Sequence, residues 1–296
     1  MQGAGNDFVV VEADTLELDW PRLAVSMCDR HFGIGADGLL LIAPSPAADL
    51  RMKIFNADGS EAATCGNGIR CIVKYLVDSG RYQGTDGQVT IETKSGISKA
   101  WFYQSGGSIN RIKAGMGKPA LGRLGFKEML EPGELLDINK ISNQYAVNGS
   151  RIDLDLVLIG NRHAVHFIET PVAEFPLAQF GPLVVNGFMG DTNFDVARVL
   201  KDDCIEARVW ENGVGETLAC GSGACAIGVA AHLRRYTKEK VNIQLPGGTL
   251  EIDWEKKGEV FLTGPAEKVF DGEWLIADSE RKNKVTHNRE KNEVLA

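Results

Sequence analysis

The sequence has no long hydrophobic run, no excess of positive charge and few cysteines, and each absence excludes a class of protein. No apolar stretch approaches the roughly 18 residues that a membrane-spanning helix needs, and no basic-then-apolar leader opens the chain. The net charge of −8 argues against nucleic acid or an anionic membrane as the main partner. We therefore expect a cytoplasmic protein that binds a small molecule, with no nucleic-acid or membrane partner.

The six cysteines of this chain of 296 residues are better interpreted as thiols than as a disulfide framework, because no secretory leader accompanies them. Neither near pair, Cys65/Cys71 or Cys220/Cys225, has the short gap typical of zinc modules, so we expect no metal site. Four of the cysteines are most simply buried small hydrophobic residues: Cys28, Cys71, Cys204 and Cys225.

Glycine, by contrast, is abundant at 34 residues and marks two similar segments. One reads Cys-Gly-Asn-Gly-Ile-Arg-Cys at 65–71, and the other reads Cys-Gly-Ser-Gly-Ala-Cys-Ala at 220–226. A thiol at a helix N-terminus lies where the helix dipole favours its thiolate, and the neighbouring glycine amides can bind a carboxylate. Two such sites that face each other would hold one carboxylate between two thiols, which predicts a catalytic site.

The two segments indicate an internal repeat. Each leads into an apolar helix; the first is expected to stop near Gly80, and residues 224–231 are apolar all round and therefore buried. Strand patterns at 39–42 and 50–55 precede the first helix, and hairpin patterns follow each helix at 89–116 and 241–263. We predict an α+β fold of two duplicated, pseudo-symmetric lobes. Each lobe is a curled, mostly antiparallel sheet around a central helix, with the active site in the cleft between them.

The predicted N-terminal lobe comprises residues 1–118 and 264–296, and the C-terminal lobe comprises residues 119–263. The polar, charged tail at 279–296 is predicted to be disordered. The Gly-x-Gly-x-x-Gly pattern at 33–38 would suggest a dinucleotide only between a strand and a helix. Here a helical pattern precedes it and a strand pattern follows it, so we expect no nucleotide site.

These segments, in their order and spacing, closely resemble the diaminopimelate epimerase family over nearly the whole chain. The resemblance is carried by residues 3–8, 30–38, 55–60, 65–71, 160–161, 163, 193, 215–226 and 263–266. It implies a homodimer that inverts an amino-acid α-carbon without any cofactor. It also implies that Cys65 and Cys220 lie on opposite faces of that carbon, one removing a proton as thiolate and the other delivering one as thiol.

The resemblance further implies a set of substrate-binding residues: Asn6, Asn56, Gly66, Asn67, Asn161, His163, Asn193, Glu211, Gly221 and Ser222. We add Arg162 and Asn212 to the predicted set, although both depart from the family pattern. In this family pattern the backbone amides at 66–67 and 221–222 hold the α-carboxylate. His163 and Glu211 are expected beside the substrate amino group. We expect His31 and His166 to be structural.

The chain departs from the family pattern at three places. Asn212 stands where the family usually has an arginine that holds the distal carboxylate, and Arg162 stands where it usually has proline. We hypothesise that Arg162 reaches into the cleft and replaces the missing guanidinium; the alternative is a solvated Arg162 and a changed distal pocket. The chain also starts inside the first motif, so the family's opening strand is expected to be trimmed or absent.

The leading hypothesis is epimerisation of LL- to meso-diaminopimelate, which supplies lysine and cell-wall precursors. A second hypothesis keeps the two thiols but changes the substrate, as in a pyridoxal-independent racemase of another amino acid, for instance histidine. Proline-type racemases also use paired cysteines but fit the asparagine-rich surroundings less well. A hypothesis from a different class is a non-catalytic redox switch in which the two thiols form a reversible disulfide.

Overall fold

The computed structural model describes residues 1–13, 18–82, 86–105, 108–123, 128–130, 142–147, 149–187 and 192–275. The first half of the chain forms eight strands and two helices: β1 (Gln2–Gly3), β2 (Asn6–Glu12), α1 (Trp20–Cys28), β3 (Gly38–Ala43), β4 (Leu50–Asn56), β5 (Glu61–Ala62), α2 (Gly66–Asp78), β6 (Gln88–Thr93), β7 (Gly96–Ser105) and β8 (Ser108–Gly115).

Within the described ranges, the second half adds eleven strands, two helices and a short 3-10 turn at Val172–Glu174. The strands and helices are β9 (Ala120–Arg123), β10 (Glu128–Leu130), β11 (Ser142–Val147), β12 (Ser150–Ile159), β13 (Asn161–Phe167), α3 (Leu177–Gly187), β14 (Thr192–Lys201), β15 (Cys204–Glu211), β16 (Gly215–Thr217), α4 (Gly221–Leu233), β17 (Lys240–Leu245), β18 (Gly248–Asp253) and β19 (Phe261–Gly264).

One strand order occurs twice. In the first half β2 runs parallel to β3, β3 pairs with β4, β4 runs parallel to β6, and β6, β7 and β8 form an antiparallel meander. In the second half β13, β14, β15, β17, β18 and β19 repeat this order. An antiparallel pairing of β8 with β19 joins the halves into one curled, mixed sheet. The duplicated α+β architecture is therefore confirmed.

A helix packs inside each half, as the apolar patterns predict. Helix α2 buries Ile69, Ile72 and Val73 against β1, β2, β7 and β8, and Gly80 follows its end with a φ of +68°. Helix α4 is buried all round over residues 224–231 and contacts strands β12–β14 and β17–β19. Both helices therefore point their first turns toward the seam between the halves.

Two features differ from the sequence-based expectations. Helix α3, which has Pro182 inside it, was not among the predicted elements. Cys204 is only half-buried, whereas Cys28, Cys71 and Cys225 are buried as expected. The 33–38 glycine motif lies between α1 and β3, which confirms that a helix precedes it and a strand follows it. The tail at 279–296 lies outside the described residues.

A buried ion pair supports the second half. Asp155 on β12 is fully buried and accepts hydrogen bonds from Arg234 Nε at 2.5 Å and Nη2 at 2.7 Å. Because Asp155→Asn leaves a largely buried guanidinium without its charge partner, we expect the free energy of unfolding to fall by about 3 kcal/mol. Urea denaturation measures this. Asp202→Asn, which removes an exposed pair with Lys238, is the control and should change it by less than about 0.5 kcal/mol; equal effects would contradict the prediction.

Candidate active site

Two cysteines occupy the N-cap positions of α2 and α4. The Cys65 sulfur accepts the backbone N–H of Gly68 at 3.4 Å, and the Cys220 sulfur accepts that of Gly223 at 3.4 Å. The hairpins β4–β5 and β15–β16 lead into these caps at equivalent points of the repeat. Each sulfur is therefore held against the positive end of its own helix.

The two helix starts touch across the seam between the halves. The side-chain amide of Asn67, in the first turn of α2, lies 3.5 Å from the Ala219 carbonyl just before α4. A β-carbon at Gly221 would lie 3.3 Å from Asn67 Oδ1 and 3.3 Å from Leu262 Cδ1. The helices can approach this closely because glycine stands at the contact. The backbone amides of both first turns thus share one small region.

Asparagine side chains surround Cys65. Asn6 Oδ1 accepts the Asn67 side-chain amide at 3.0 Å and lies 4.0 Å from the Cys65 sulfur. Asn6 Nδ2 donates to Asp37 Oδ2 at 2.6 Å. Because this carboxylate only accepts hydrogen bonds, it fixes the Asn6 amide with its oxygen toward the thiol.

A surface ion cluster holds Asp37 in place. Arg30 donates to both carboxylate oxygens of Asp7, at 3.0 and 2.8 Å, and to Asp37 at 2.8 Å. The Asp37 backbone N–H donates to Asp7 Oδ1 at 3.0 Å. Asp7, Arg30 and Asp37 lie in segments that carry the family resemblance, but the sequence alone did not indicate a role for them. The structure shows that they orient Asn6.

A buried polar chain lies behind Cys220. His163 is fully buried; its Nδ1 lies 2.8 Å from Asp195 Oδ2 and its Nε2 lies 2.9 Å from Ser222 Oγ. Ser222 Oγ in turn lies 3.4 Å from the Cys220 sulfur. The sequence predicted His163 and Ser222 for this site but missed Asp195. Aspartate on a core strand is the signal that could have found it, since such a residue requires a partner.

Glu211 ends β15 and faces the same cleft. Its Oε1 accepts the Thr217 hydroxyl at 2.6 Å, and burial raises the pKa of its carboxyl group. Asn193 Oδ1 accepts the Asn212 backbone N–H at 2.9 Å, and its Nδ2 lies 3.4 Å from His163 Nε2. The structure thus brings Glu211, Asn193 and His163 together on the Cys220 side.

The two thiols differ in their electrostatic surroundings. Burial raises the pKa of the Cys65 thiol, while N–H groups of the α2 first turn and the charge of Arg70 act in the opposite direction. Burial, followed by the charges of Glu211 and Asp195, raises the pKa of the Cys220 thiol further above its ordinary value. The sequence-based expectation rested on the helix dipole, whereas removal of these thiols from water has the larger effect on their pKa.

The remaining predicted residues are exposed or half-buried. Asn56 is exposed at the end of β4 and donates to Ser60 Oγ at 2.9 Å. Asn161 and Asn212 are exposed, and a β-carbon at Gly160, beside Asn161, would lie 3.8 Å from Ser222 Cβ. Arg162 is half-buried on β13 next to His163, and strand alternation directs their side chains to opposite faces of the sheet.

Within the described residues, no three histidine, cysteine, aspartate or glutamate side chains are grouped as metal ligands would be. None of the helices in the described ranges is long and apolar enough to cross a membrane.

Comparison with known proteins identifies the family. The family model for diaminopimelate epimerase matches residues 1–122 and 156–269. The diaminopimelate epimerase of Pelotomaculum thermopropionicum is 41% identical over 277 residues, covering 92% of this chain and 96% of its own length. That of Moorella thermoacetica is 42% identical over 281 residues, covering 93% and 98%. The chain belongs to the diaminopimelate epimerase family.

Solved structures extend the likeness in fold beyond this family. A hydroxyproline epimerase from Agrobacterium vitis aligns with a TM-score of 0.65 at 17% identity, covering 89% of this chain and 86% of its own. A Bacillus anthracis protein of the PhzF family aligns with a TM-score of 0.66 at 18% identity, covering 93% and 95%. At these identities the likeness concerns the fold alone.

Proposed function

We propose that this member of the family converts LL-diaminopimelate to meso-diaminopimelate in lysine and peptidoglycan precursor synthesis, using Cys65 and Cys220 and no cofactor. The observation that carries the proposal is the contact between the two helix starts, each capped by a cysteine sulfur. A single base could not protonate the opposite face of a carbon without turning the substrate over. Two thiols on facing helix ends can serve both faces.

The proposed reaction is a proton exchange across one carbon. The thiolate of one cysteine takes the α-proton, and the electron pair of the broken C–H bond moves into the carboxylate to give an enediolate. Backbone amides at 66–67 and 221–222 lie in the first turns of α2 and α4, where they stabilise that developing charge. The other cysteine then gives its thiol proton to the opposite face, and the two cysteines have exchanged protonation states.

Glu211 and His163 are proposed to hold the substrate amino group. Both lie on the Cys220 side, and the Glu211 carboxylate interacts electrostatically with both thiols. A positive ammonium group between Glu211 and the cleft would offset the negative charge that builds on the substrate. In this arrangement the α-carboxylate and the amino group fix the α-carbon between the sulfurs.

A racemase of another amino acid is the second candidate, and the distal end of the cleft favours it. Asn212 is exposed where the family usually has arginine, and Arg162 is directed away from the His163 face. The distal carboxylate of diaminopimelate would then be held by groups other than Arg162. A substrate without that carboxylate would fit equally well.

Exchange of the α-hydrogen with solvent deuterium tests the proposal. We expect the reduced enzyme to exchange and epimerise LL- and meso-diaminopimelate at least about 100-fold faster than histidine or other amino acids, as measured by NMR and chiral chromatography. Faster turnover of another amino acid would favour the second candidate. No α-exchange with any amino acid would favour a redox switch.

An unchanged rate for Arg162→Ala would exclude Arg162 from the distal site. A homodimer and a cytoplasmic location are proposed from the family resemblance, and sedimentation tests the former.

A further inference from the structure

The strand register of the repeat shows that the two halves are not equivalent behind their cysteines. On β2, Phe8 pairs with Gly38, the first residue of β3, and on β13, His163 pairs with Asn193, the second residue of β14. When Cys65 is placed on Cys220, the first pair falls on the second, and His163 occupies the position of Phe8. Two residues further along the second strand of each pair, Leu40 in the first half corresponds to Asp195 in the second.

Contacts with the helix starts give the same correspondence independently. A β-carbon at Gly68 in α2 would lie 2.9 Å from Leu40 Cδ2, and one at Gly223 in α4 would lie 2.8 Å from Asp195 Oδ1. Each side chain thus lies under the N-terminal turn that carries a cysteine. An apolar pair, Phe8 and Leu40, stands behind Cys65, whereas an imidazole and a carboxylate stand behind Cys220.

The carboxylate of Asp195 serves His163 alone among the described residues. Both side chains are fully buried, and Asp195 Oδ2 lies 2.8 Å from His163 Nδ1, while Oδ1 has no hydrogen-bond partner in the described ranges. Burying a carboxylate in this way is unfavourable, and the first half shows that the fold accepts apolar residues at the same positions. The pair therefore requires an explanation beyond folding.

The hydrogen-bond directions around His163 can be assigned from its partners. The Asp195 carboxylate only accepts, so Nδ1 carries the proton. Asn193 Oδ1 takes the Asn212 N–H, which turns Asn193 Nδ2 toward His163 Nε2, and Nε2 is therefore an acceptor.

The His163 tautomer determines the direction of the hydrogen bond between Ser222 and Cys220. The Ser222 hydroxyl, 2.9 Å from His163 Nε2, donates to that nitrogen, so its oxygen lone pairs face the Cys220 sulfur at 3.4 Å and accept the S–H. In this series of hydrogen bonds each group donates to the next, from Cys220 through Ser222 and His163 to Asp195.

We propose that Asp195 is a positioning residue for the reaction: by fixing the His163 tautomer, it orients Ser222 to hold Cys220 as the proton-bearing thiol of the resting enzyme. Cys65 has different surroundings: its sulfur lies at the longer distance of 4.0 Å from Asn6 Oδ1, an exposed Asp37 fixes that amide, and the apolar Phe8 and Leu40 lie behind. The buried imidazole and carboxylate thus make the two thiol sites unequal before substrate binds. This inference rests on the proposed function, because it gives Cys220 the role of proton donor.

Asp195→Asn tests the inference, with Asp155→Asn as the matched control. Both replace a fully buried aspartate of the second half that is hydrogen-bonded to the side chain of a basic residue. We expect Asp195→Asn to lower kcat for diaminopimelate epimerisation by about 10²-fold, with KM changed less than about 3-fold. Asp155→Asn should lower stability but leave the kcat of the folded enzyme within about 2-fold. Equal kcat values in the two variants would overturn the inference.

A double-mutant cycle shows whether Asp195 acts through Ser222. If it does, Asp195→Asn should reduce kcat by less than about 3-fold in a Ser222→Ala background, whereas independent effects would multiply. Multiplying effects would overturn the proposed chain. Epimerisation that survives Cys220→Ala would instead remove the proposed function, so the two failures are distinguishable.

Alkylation of Cys220 by iodoacetamide in a Cys65→Ser background tests the chain without turnover. Asparagine can donate to Nδ1 and force the proton onto Nε2, which reverses the Ser222 bond and favours the thiolate. Loss of the Asp195 charge acts in the same direction, while Glu211, the other charged group that faces Cys220, is retained. The midpoint of the alkylation pH profile should therefore move to lower pH in Asp195→Asn. An unmoved or raised midpoint would contradict the inference.

Discussion

Replacement of either Cys65 or Cys220 by alanine is expected to reduce epimerisation of diaminopimelate by about 10³-fold or more, because each removes one of the two groups that transfer protons. The loss should not be the same for every reaction. A single remaining thiolate can remove and return the proton on its own face. Each variant should therefore still exchange the α-hydrogen of one stereoisomer with deuterium, and the two variants should prefer opposite stereoisomers.

The other cysteines of the same helices provide matched controls for this prediction. Cys71 in α2 and Cys225 in α4 are buried, and each lies one turn or more beyond the helix start. Cys71→Ala and Cys225→Ala should leave kcat within about 3-fold while costing stability, since each removes a buried sulfur. NMR in deuterated buffer measures the exchange of the α-hydrogen, and a chiral assay measures epimerisation. Full epimerisation by Cys65→Ala or Cys220→Ala would refute the two-thiol mechanism.

The thiol sites could be predicted from the sequence because their signals are local. A cysteine, two glycines and an apolar helix within a dozen residues determine the N-cap, the close helix contact and the buried helix. The hairpins of β6–β8 and β17–β19 are equally local, since glycine turns separate alternating strands. Their duplication then indicated the architecture without any knowledge of the long-range pairing.

The residues that the sequence could not predict act through long-range contacts. Asp195 meets His163 because β13 and β14 lie side by side in parallel register, with α3 between them in the chain. Arg30 orients Asn6 through Asp7 and Asp37 across the equivalent strand pair of the first half. Sequence spacing does not reveal either register. Because the halves were predicted to be equivalent, we did not expect His163 and Asp195 in the second half at the positions of Phe8 and Leu40 in the first.

The differences between the halves make the two thiol sites of the duplicated fold electrostatically unequal. Asn56 and Glu211 end the equivalent strands β4 and β15, so an amide in one half corresponds to a carboxylate in the other. A reversible epimerase needs one base and one acid at any moment, although its two thiols are chemically identical. Negative charge from Glu211 and Asp195 disfavours the Cys220 thiolate more than the Cys65 thiolate, which supplies that difference in the resting enzyme.

Glu211→Gln is expected to lower kcat/KM for diaminopimelate by about 10²- to 10³-fold, because a neutral amide cannot pair with the substrate ammonium group in a site shielded from water. Burial raises the pKa of the Glu211 carboxyl group, so a larger share of the enzyme carries a neutral Glu211 as the pH falls. Wild-type kcat/KM should therefore rise with pH through the Glu211 pKa. That step should be absent from the profile of Glu211→Gln, which retains the step due to the thiols.

Glu216→Gln is the matched control, because Glu216 lies on the same β15–β16 hairpin but pairs with Arg208 at the surface, at 2.7 and 2.8 Å. This change should leave kcat/KM within about 2-fold and preserve the acidic step of the pH profile. A Glu211→Gln enzyme that behaved in the same way would show that the amino group binds elsewhere. The Glu211 charge would then affect only the thiols. In that case Glu211→Gln should still be alkylated faster at Cys220, because the negative charge that disfavours the thiolate is gone.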